Sequence, residues 1–197
     1  VTLKDIAQAT GFSANTVSRA LADKPDISEE TKAVIREKAS QMGYIANALA
    51  SFLRSGVSRN IAILVGDISN PHFSVMVKEM QTLLQRRGYN SIIFNTEEKA
   101  AVEKQAITTS LSQNVDGIIL CPAPGGEENI RFLQMHGKPF VMIGRHFTGE
   151  DASFVICDDV HGGYAAARYL LDRGHKDILF LNGPRGISSS AERLEGY

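Results

Sequence analysis

Two hydrophobic rhythms divide this chain. In residues 1–43, VTLKDIAQATGFSANTVSRALADKPDISEETKAVIREKASQMG, apolar positions recur at helical spacing. Leu3, Ile6 and Ala7 stand at i, i+3 and i+4, Val17, Ala20 and Leu21 repeat the pattern, and Val34 and Ile35 offer a third packing face. Thr2 followed by Asp5 forms a capping box at the start of the first helix. Ser13 is a natural N-cap for the second helix, and Ser28 with Glu29 and Glu30 starts a third that Gly43 ends. Gly11 falls at the turn between the first two helices, where positive φ is tolerated. The pattern predicts two short helices joined by a glycine-centred turn, then a third.

From Asn60 onward short, unbroken apolar runs alternate with amphipathic stretches. IAILVGD precedes a helix predicted at 71–87, SIIFNTE one near 100–113, and DGIILCP one near 127–136, and FVMIG follows. Ile- and Val-rich runs without alternation fit parallel strands covered on both faces. Gly88, Gly117 and Gly137 punctuate the units, and the reading is a doubly wound α/β domain. A second set is predicted from FVICD, a helix near 162–173, with Gly162 and Gly163 opening it closely packed, and a strand in DILFLNGP. SSSAERLEGY carries a helix start and no stop. This second set is too short to cover two sheet faces, so the chain is read as part of a longer protein. The organisation expected is an all-α unit at 1–43, a linker at 44–59, an α/β subdomain at 60–150 and the beginning of another at 151–197.

Composition changes this picture little. Of 197 residues, 43% are hydrophobic, enough for a substantial core, and the net charge is −1, which excludes a polycation. Residues 1–59 hold eight Lys and Arg against six Asp and Glu, so a slight basic excess lies in the helical segment taken together with the linker that follows it. Cys121 and Cys157 fall in apolar strand-like runs without metal-ligand spacing and are expected to be buried free thiols. No secretory signal and no membrane-length apolar run is present, and a cytoplasmic protein is expected. The histidines form no triad, HGGYAAARYL lacks the full dinucleotide fingerprint, and no nucleophile–base pair appears, so neither an enzyme nor a cofactor is expected.

The helical segment carries the most specific chemistry. A helix-turn-helix places its second helix in the DNA major groove. Reading base edges there takes a forked arginine and small polar groups. Arg19 and Asn15 supply these on the face opposite Val17 and Ala20, and Ser13, Thr16 and Ser18 reach phosphates or bases. The competing reading is a three-helix bundle with solvated polar residues. After Asn47, Ala48, Leu49, Ala50 and Leu53 either make one or two helical turns, too short to be stable alone, or form a flexible tether, which composition alone favours.

In the α/β part, ligands of such sheets sit beyond the carboxyl ends of strands. Asn70, His72 and Phe73 follow the first strand, Arg145 the fourth, and Arg193 the last. Phe73 offers an apolar face or else plain core, and Asn70 offers a polar edge or else only shapes the turn before Pro71. Arg145 and Arg193 offer forked donors, or else pair with carboxylates.

TLKDIAQATGFSANTVSRAL, continued by GYIANALASFL and then by nearly all of the remaining chain, resembles the LacI/GalR family of bacterial transcription repressors. The resemblance implies an effector-binding core like periplasmic binding proteins, two subdomains around a cleft, here with the second incomplete. It implies homodimers or higher homo-oligomers on pseudo-palindromic double-stranded DNA operators, controlled by a small-molecule effector, with a sugar the expected class. It implies DNA contacts from Ser13, Asn15, Thr16, Ser18, Arg19 and Asn47, and a minor-groove wedge at Leu53. It implies effector contacts at His72, Phe73, Ser189 and Arg193, and an arginine at the place of Arg145 is common in the family's sugar-responsive members. Three departures stand out: Ala46 replaces a common proline, Ser51 a frequent arginine or glutamine, and Gly144 a frequent aspartate.

Overall fold

The computed structural model describes residues 1–47, 52–53, 55–184 and 186–197. It falls into two compact units, Val1–Ser55 and Gly56–Tyr197.

The first unit holds α1 (Leu3–Thr10), α2 (Ala14–Leu21) and α3 (Glu29–Gln41). Each start is capped as its sequence dictates. The Asp5 N–H donates to Thr2 Oγ1 while the Thr2 N–H donates to the Asp5 carboxylate, and the Ser13 and Ser28 hydroxyls accept from the N–H groups of Thr16 and Thr31. Gly11 ends α1 at φ 75°, the left-handed conformation that lets the chain reverse into α2. The shared core is Ile6, Val17, Ala20, Ile35 and Ala39. Ile35 is buried as expected, whereas Val34 is half exposed, because α3 turns only one narrow stripe inward. Lys32 is buried on the same helix, its ammonium held by Glu29 (2.6 Å) and Asp23 (3.0 Å).

The second unit is built on a parallel sheet of β1 (Asn60–Val65), β2 (Asn90–Asn95), β3 (Gly117–Leu120), β4 (Phe140–Ile143) and β5 (Phe154–Val155), ordered β2-β1-β3-β4-β5. Three helices cover it: α4 (Pro71–Arg86), α5 (Ala100–Ser112) and α6 (Glu127–Met135). The unbroken apolar run of β1 has a direct cause. Successive side chains leave opposite faces of a strand. Ala62 and Leu64 pack with Ala106 and Ile107 of α5 and Ile130 and Leu133 of α6, while Ile63 and Val65 pack with Phe73 and Val77 of α4. Both faces are covered, so neither can be polar. The strand order reverses between β1 and β3, which is where a doubly wound sheet opens a crevice at its carboxyl edge.

The remaining helices, α7 (Asp159–Asp172) and α8 (Ser188–Gly196), pack on each other. The second set of elements departs from expectation at both strands. FVICD contributes only β5, and β5 adds to the first sheet beside β4 rather than founding another. DILFLNGP forms no regular element: Leu179 and Leu181 are more than four-fifths exposed. A strand exists through lateral hydrogen bonds, and no strand lies beside this run among the described residues. Cys121 is buried as expected; Cys157 is exposed, because the chain leaves the sheet after Val155.

Candidate functional site

In the first unit the inward face of α2 is fixed by Val17 and Ala20, both fully buried. The helix period then directs Ser13, Asn15 and Arg19 to solvent, with Thr16 and Ser18 half-buried at the margins. Thr16 Oγ1 lies 2.8 Å from Ser13 Oγ, so these two hydroxyls form one polar group at the helix start. Ser18 and Asn47 line a common groove with residues 1–4, Leu21, Ala22 and Tyr44. Arg19 is engaged: its Nε donates to Asp26 Oδ2 (2.8 Å) and its Nη2 approaches Oδ1 (2.7 Å). Both partners remain about half exposed. The Arg19 hydrogen bond holds the Asp26 carboxyl below its ordinary range.

In the segment 44–59, where a linker is expected, Leu53 is helical and 78% exposed, and it falls within the first compact unit. The expected turns at Ala48, Leu49 and Ala50, and Ser51 with them, lie outside the described residues.

In the second unit the crevice edge is built from the segments after β1, β2, β3 and β4. Asn70 caps α4, its Oδ1 accepting from the His72 N–H (3.0 Å), and His72 is exposed, edge-on to the Phe73 ring at 5.4 Å. Phe73 itself is core: it is 5% exposed and packed with Ile63, Val65 and Cys121. Arg145 is only 15% exposed and forks onto Glu98, with Nη2 2.9 Å from Oε1, while Nη1 also donates to the Pro122 carbonyl (3.3 Å). Burial opposes the Arg145 charge, and the Glu98 carboxylate outweighs it, so its pKa stays raised. Beneath this pair Cys121 is pushed up to about 11, chiefly by burial. Such a thiol is inert at neutral pH.

Glu103, fully buried, accepts from the Ala123 N–H (2.6 Å) and from Asn129 Nδ2 (2.8 Å). Burial lifts its carboxyl above the ordinary range against those two hydrogen bonds. It ties the β3–α6 loop to α5. From the other side, α8 is fastened to the end of β4. Ser188 Oγ accepts from the His146 N–H (3.1 Å), and the His146 ring meets Glu192 (2.8 Å) and stacks on Phe154. Ser189 is half-buried on that helix, and exposed Arg193 donates through Nε to Asp159 (2.7 Å).

Asn70, His72 and Arg145 thus share one edge of the sheet, with Phe73 supporting it from below. Ser189 lies on the helix fastened to that edge, while Arg193 faces α7. Nothing in the sequence marks Glu98, Glu103, His146 or Asp26 as part of a site. Each is a charged or polar residue whose partner lies elsewhere in the chain, 47 residues away for Glu98 and Arg145, and no local pattern marks such a pair. Among the described residues no cluster of three or more His, Cys, Asp or Glu could hold a metal, and no helix is long and apolar enough to cross a membrane.

Residues 2–47 match the family of bacterial regulatory proteins of lacI type, and residues 58–197 match the periplasmic binding proteins and sugar binding domain of the LacI family. The transcriptional regulator GalR of Escherichia coli is 28% identical over the whole chain, and the transcriptional repressor PurR of Vibrio atlanticus is 29% identical. The chain spans 57% and 59% of their lengths, respectively. Among solved structures, the lac repressor dimer bound to operator and the anti-inducer ONPF aligns over all of this chain and 60% of its own, with a TM-score of 0.87 and 23% identity. A LacI-family regulator from Silicibacter pomeroyi aligns over all of this chain and 59% of its own, with a TM-score of 0.80 and 25% identity. At 23% identity the first of these likenesses speaks for the fold. The family matches together cover far more than half of the residues, and the chain belongs to the LacI family of bacterial regulatory proteins.

Proposed function

We propose that this protein is a sequence-specific transcriptional repressor that binds a pseudo-palindromic operator as a homodimer and answers to a small sugar. The observation that carries the proposal is the face of α2: Ser13, Asn15 and Arg19 exposed together, opposite Val17 and Ala20 in the core. A helix so mounted enters the major groove with its N-terminal residues at the base edges. Two headpieces read two half-sites only if a dimer holds them at operator spacing, as in the lac repressor dimer found on its operator. Exposed Leu53 in the linker supports a wedge into a minor-groove step.

The crevice between β1 and β3 is where the effector would sit. Arg145 and the Glu98 carboxylate that takes its fork form a charged pair at this edge, with Arg145 itself half-buried, and His72 adds a polar edge. Hydroxyl groups are the natural partners of such a mixed acid–base rim. The related regulator CelR was solved with cellobiose. Sugar binding would act by favouring one of two arrangements of the dimer, which requires unequal affinity for the two.

The test is selection of duplexes from a random pool by the purified protein, followed by footprinting with a panel of neutral sugars. A recovered palindromic site, a footprint altered by one sugar, and a loss of about tenfold or more in specific affinity for Arg19→Ala support the proposal. Equal loss on selected and random duplexes for that variant would mean Arg19 reads no base.

A further inference from the structure

Arg19 carries an acidic partner on the very surface that would face a polyanion, and that is an unfavourable place for a carboxylate unless it serves the contact. We infer that Asp26 is a positioning residue for Arg19 and sets how strictly α2 discriminates between base sequences; the inference rests on the operator reading above. Asp26 occupies the turn between α2 and α3, and that turn is pinned. The Lys24 N–H donates to the Arg19 carbonyl (3.1 Å), and the Asp23 N–H to the Ala20 carbonyl (3.1 Å). The Ile27 N–H donates to the Lys24 carbonyl (3.3 Å), with Ile27 packed on the headpiece core. Asp23 is further tied to Lys32 and Arg36 on α3. The carboxylate is therefore fixed relative to α2 rather than carried on a loose loop.

A guanidinium has five N–H donors in one plane. Asp26 takes the edge formed by Nε and Nη2 through two contacts at 2.8 and 2.7 Å. That leaves both N–H groups of Nη1 and one of Nη2, the end-on edge, directed away from the carboxylate. Two parallel donors on that edge match O6 and N7 of a guanine. Clamped, the side chain meets a base in one orientation and has less rotamer freedom to lose on binding. Freed, it reaches any nearby phosphate. The same carboxylate repels the phosphates of selected and random duplexes alike, so that repulsion leaves the ratio of the two affinities unchanged. The clamp, which favours the right base and withholds the side chain from phosphates, is what widens the gap between specific and non-specific binding.

The experiment measures, by fluorescence anisotropy on the purified protein, affinity for a duplex recovered by selection and for a scrambled duplex of the same composition. Wild type, Asp26→Asn, Asp26→Glu, Arg19→Ala and the double variant Arg19→Ala/Asp26→Asn are compared. The expected result is that Asp26→Asn lowers the ratio of selected to scrambled affinity by about tenfold. Asp26→Glu should restore part of that loss, and in the Arg19→Ala background Asp26→Asn should leave the ratio unchanged. Asp26→Asn tightening both duplexes equally would reduce Asp26 to a phosphate repellent and overturn the inference. A change in ratio of the same size with and without Arg19 would also overturn it, by making Asp26 an independent base reader. Wild-type protein that does not prefer its selected duplex overturns the operator reading itself, a failure visible before any variant is made. Because Asp26 is exposed, unchanged helical circular dichroism is expected for its variants.

Discussion

At the scale of the residue, the decisive group in the larger unit is one that touches no ligand. Glu103 is fully buried and answers two donors, the Ala123 N–H and Asn129 Nδ2. Glu103→Ala strands the Ala123 N–H and one of the two Asn129 Nδ2 N–H groups, the other still donating to the Ala100 carbonyl (2.9 Å). Each unsatisfied buried donor costs about 1–3 kcal/mol, so a loss of about 2–6 kcal/mol in urea unfolding of this unit is expected, with the β3–α6 loop loosened. The sign of the pH effect follows from burial. The ordinary carboxyl value is 4.5, and in the fold it is raised. Between those two values the folded protein holds a proton that the unfolded chain has released, so stability falls as pH rises through the window and levels off above the folded value. Glu103→Gln carries no such proton. Its stability measured across that window is expected to lack this descending component, and a slope equal to that of the wild type would assign the pH dependence to other groups.

At the scale of the element, the pair α7 and α8 shows how a glycine decides a packing distance. A Cβ on Gly163 would run into the Arg193 carbonyl, and one on Gly196 into the Val160 carbonyl. The two helices thus meet backbone to backbone. Gly162, one residue earlier, has open space around it. The two alanine substitutions are therefore expected to act in opposite directions. Gly162→Ala should stabilise by about 0.4–1 kcal/mol through the unfolded state. Gly163→Ala should push the helices apart and raise hydrogen exchange in α8 by about tenfold or more, because its backbone neighbour cannot turn aside as a side chain would. Equal behaviour of the two variants would mean that the close crossing does not hold α8. The local signals of this fold were readable from the sequence: Thr2 and Asp5, Ser13, Ser28 and Gly11 mark helix ends through interactions within four residues, and the apolar run of β1 declares two covered faces. DILFLNGP reads as a strand equally well, yet forms none, because a strand depends on a neighbour that its own residues do not encode. For the same reason the exposed positions of Asn15 and Arg19 follow from helix periodicity, whereas the Asp26 clamp and the Glu98–Arg145 fork follow only from the fold.

At the scale of the whole molecule, two units with separate cores predict separate unfolding. The headpiece core is Ile6, Val17, Ala20, Ile35 and Ala39, and the larger unit packs two clusters on either side of its sheet. A domain as small as the first unit buries a lesser share of its surface and has little stability to spare. Calorimetry of the purified protein is expected to show two transitions, the headpiece melting first. A ligand stabilises only what it binds. A selected duplex at about one hundred times its dissociation constant adds about 2.7 kcal/mol to the unit that holds it. For a unit this small that is a rise of roughly 10 °C or more in the lower transition, with the upper one in place. A sugar in the crevice should move the upper transition and leave the lower. If one duplex raises both transitions together, the units do not unfold independently, and binding energy at α2 is spread over the entire chain. The first outcome would mean that binding at α2 and binding in the crevice are each felt by one core, so that any coupling between them has to cross from the unit ending at Ser55 to the unit beginning at Gly56.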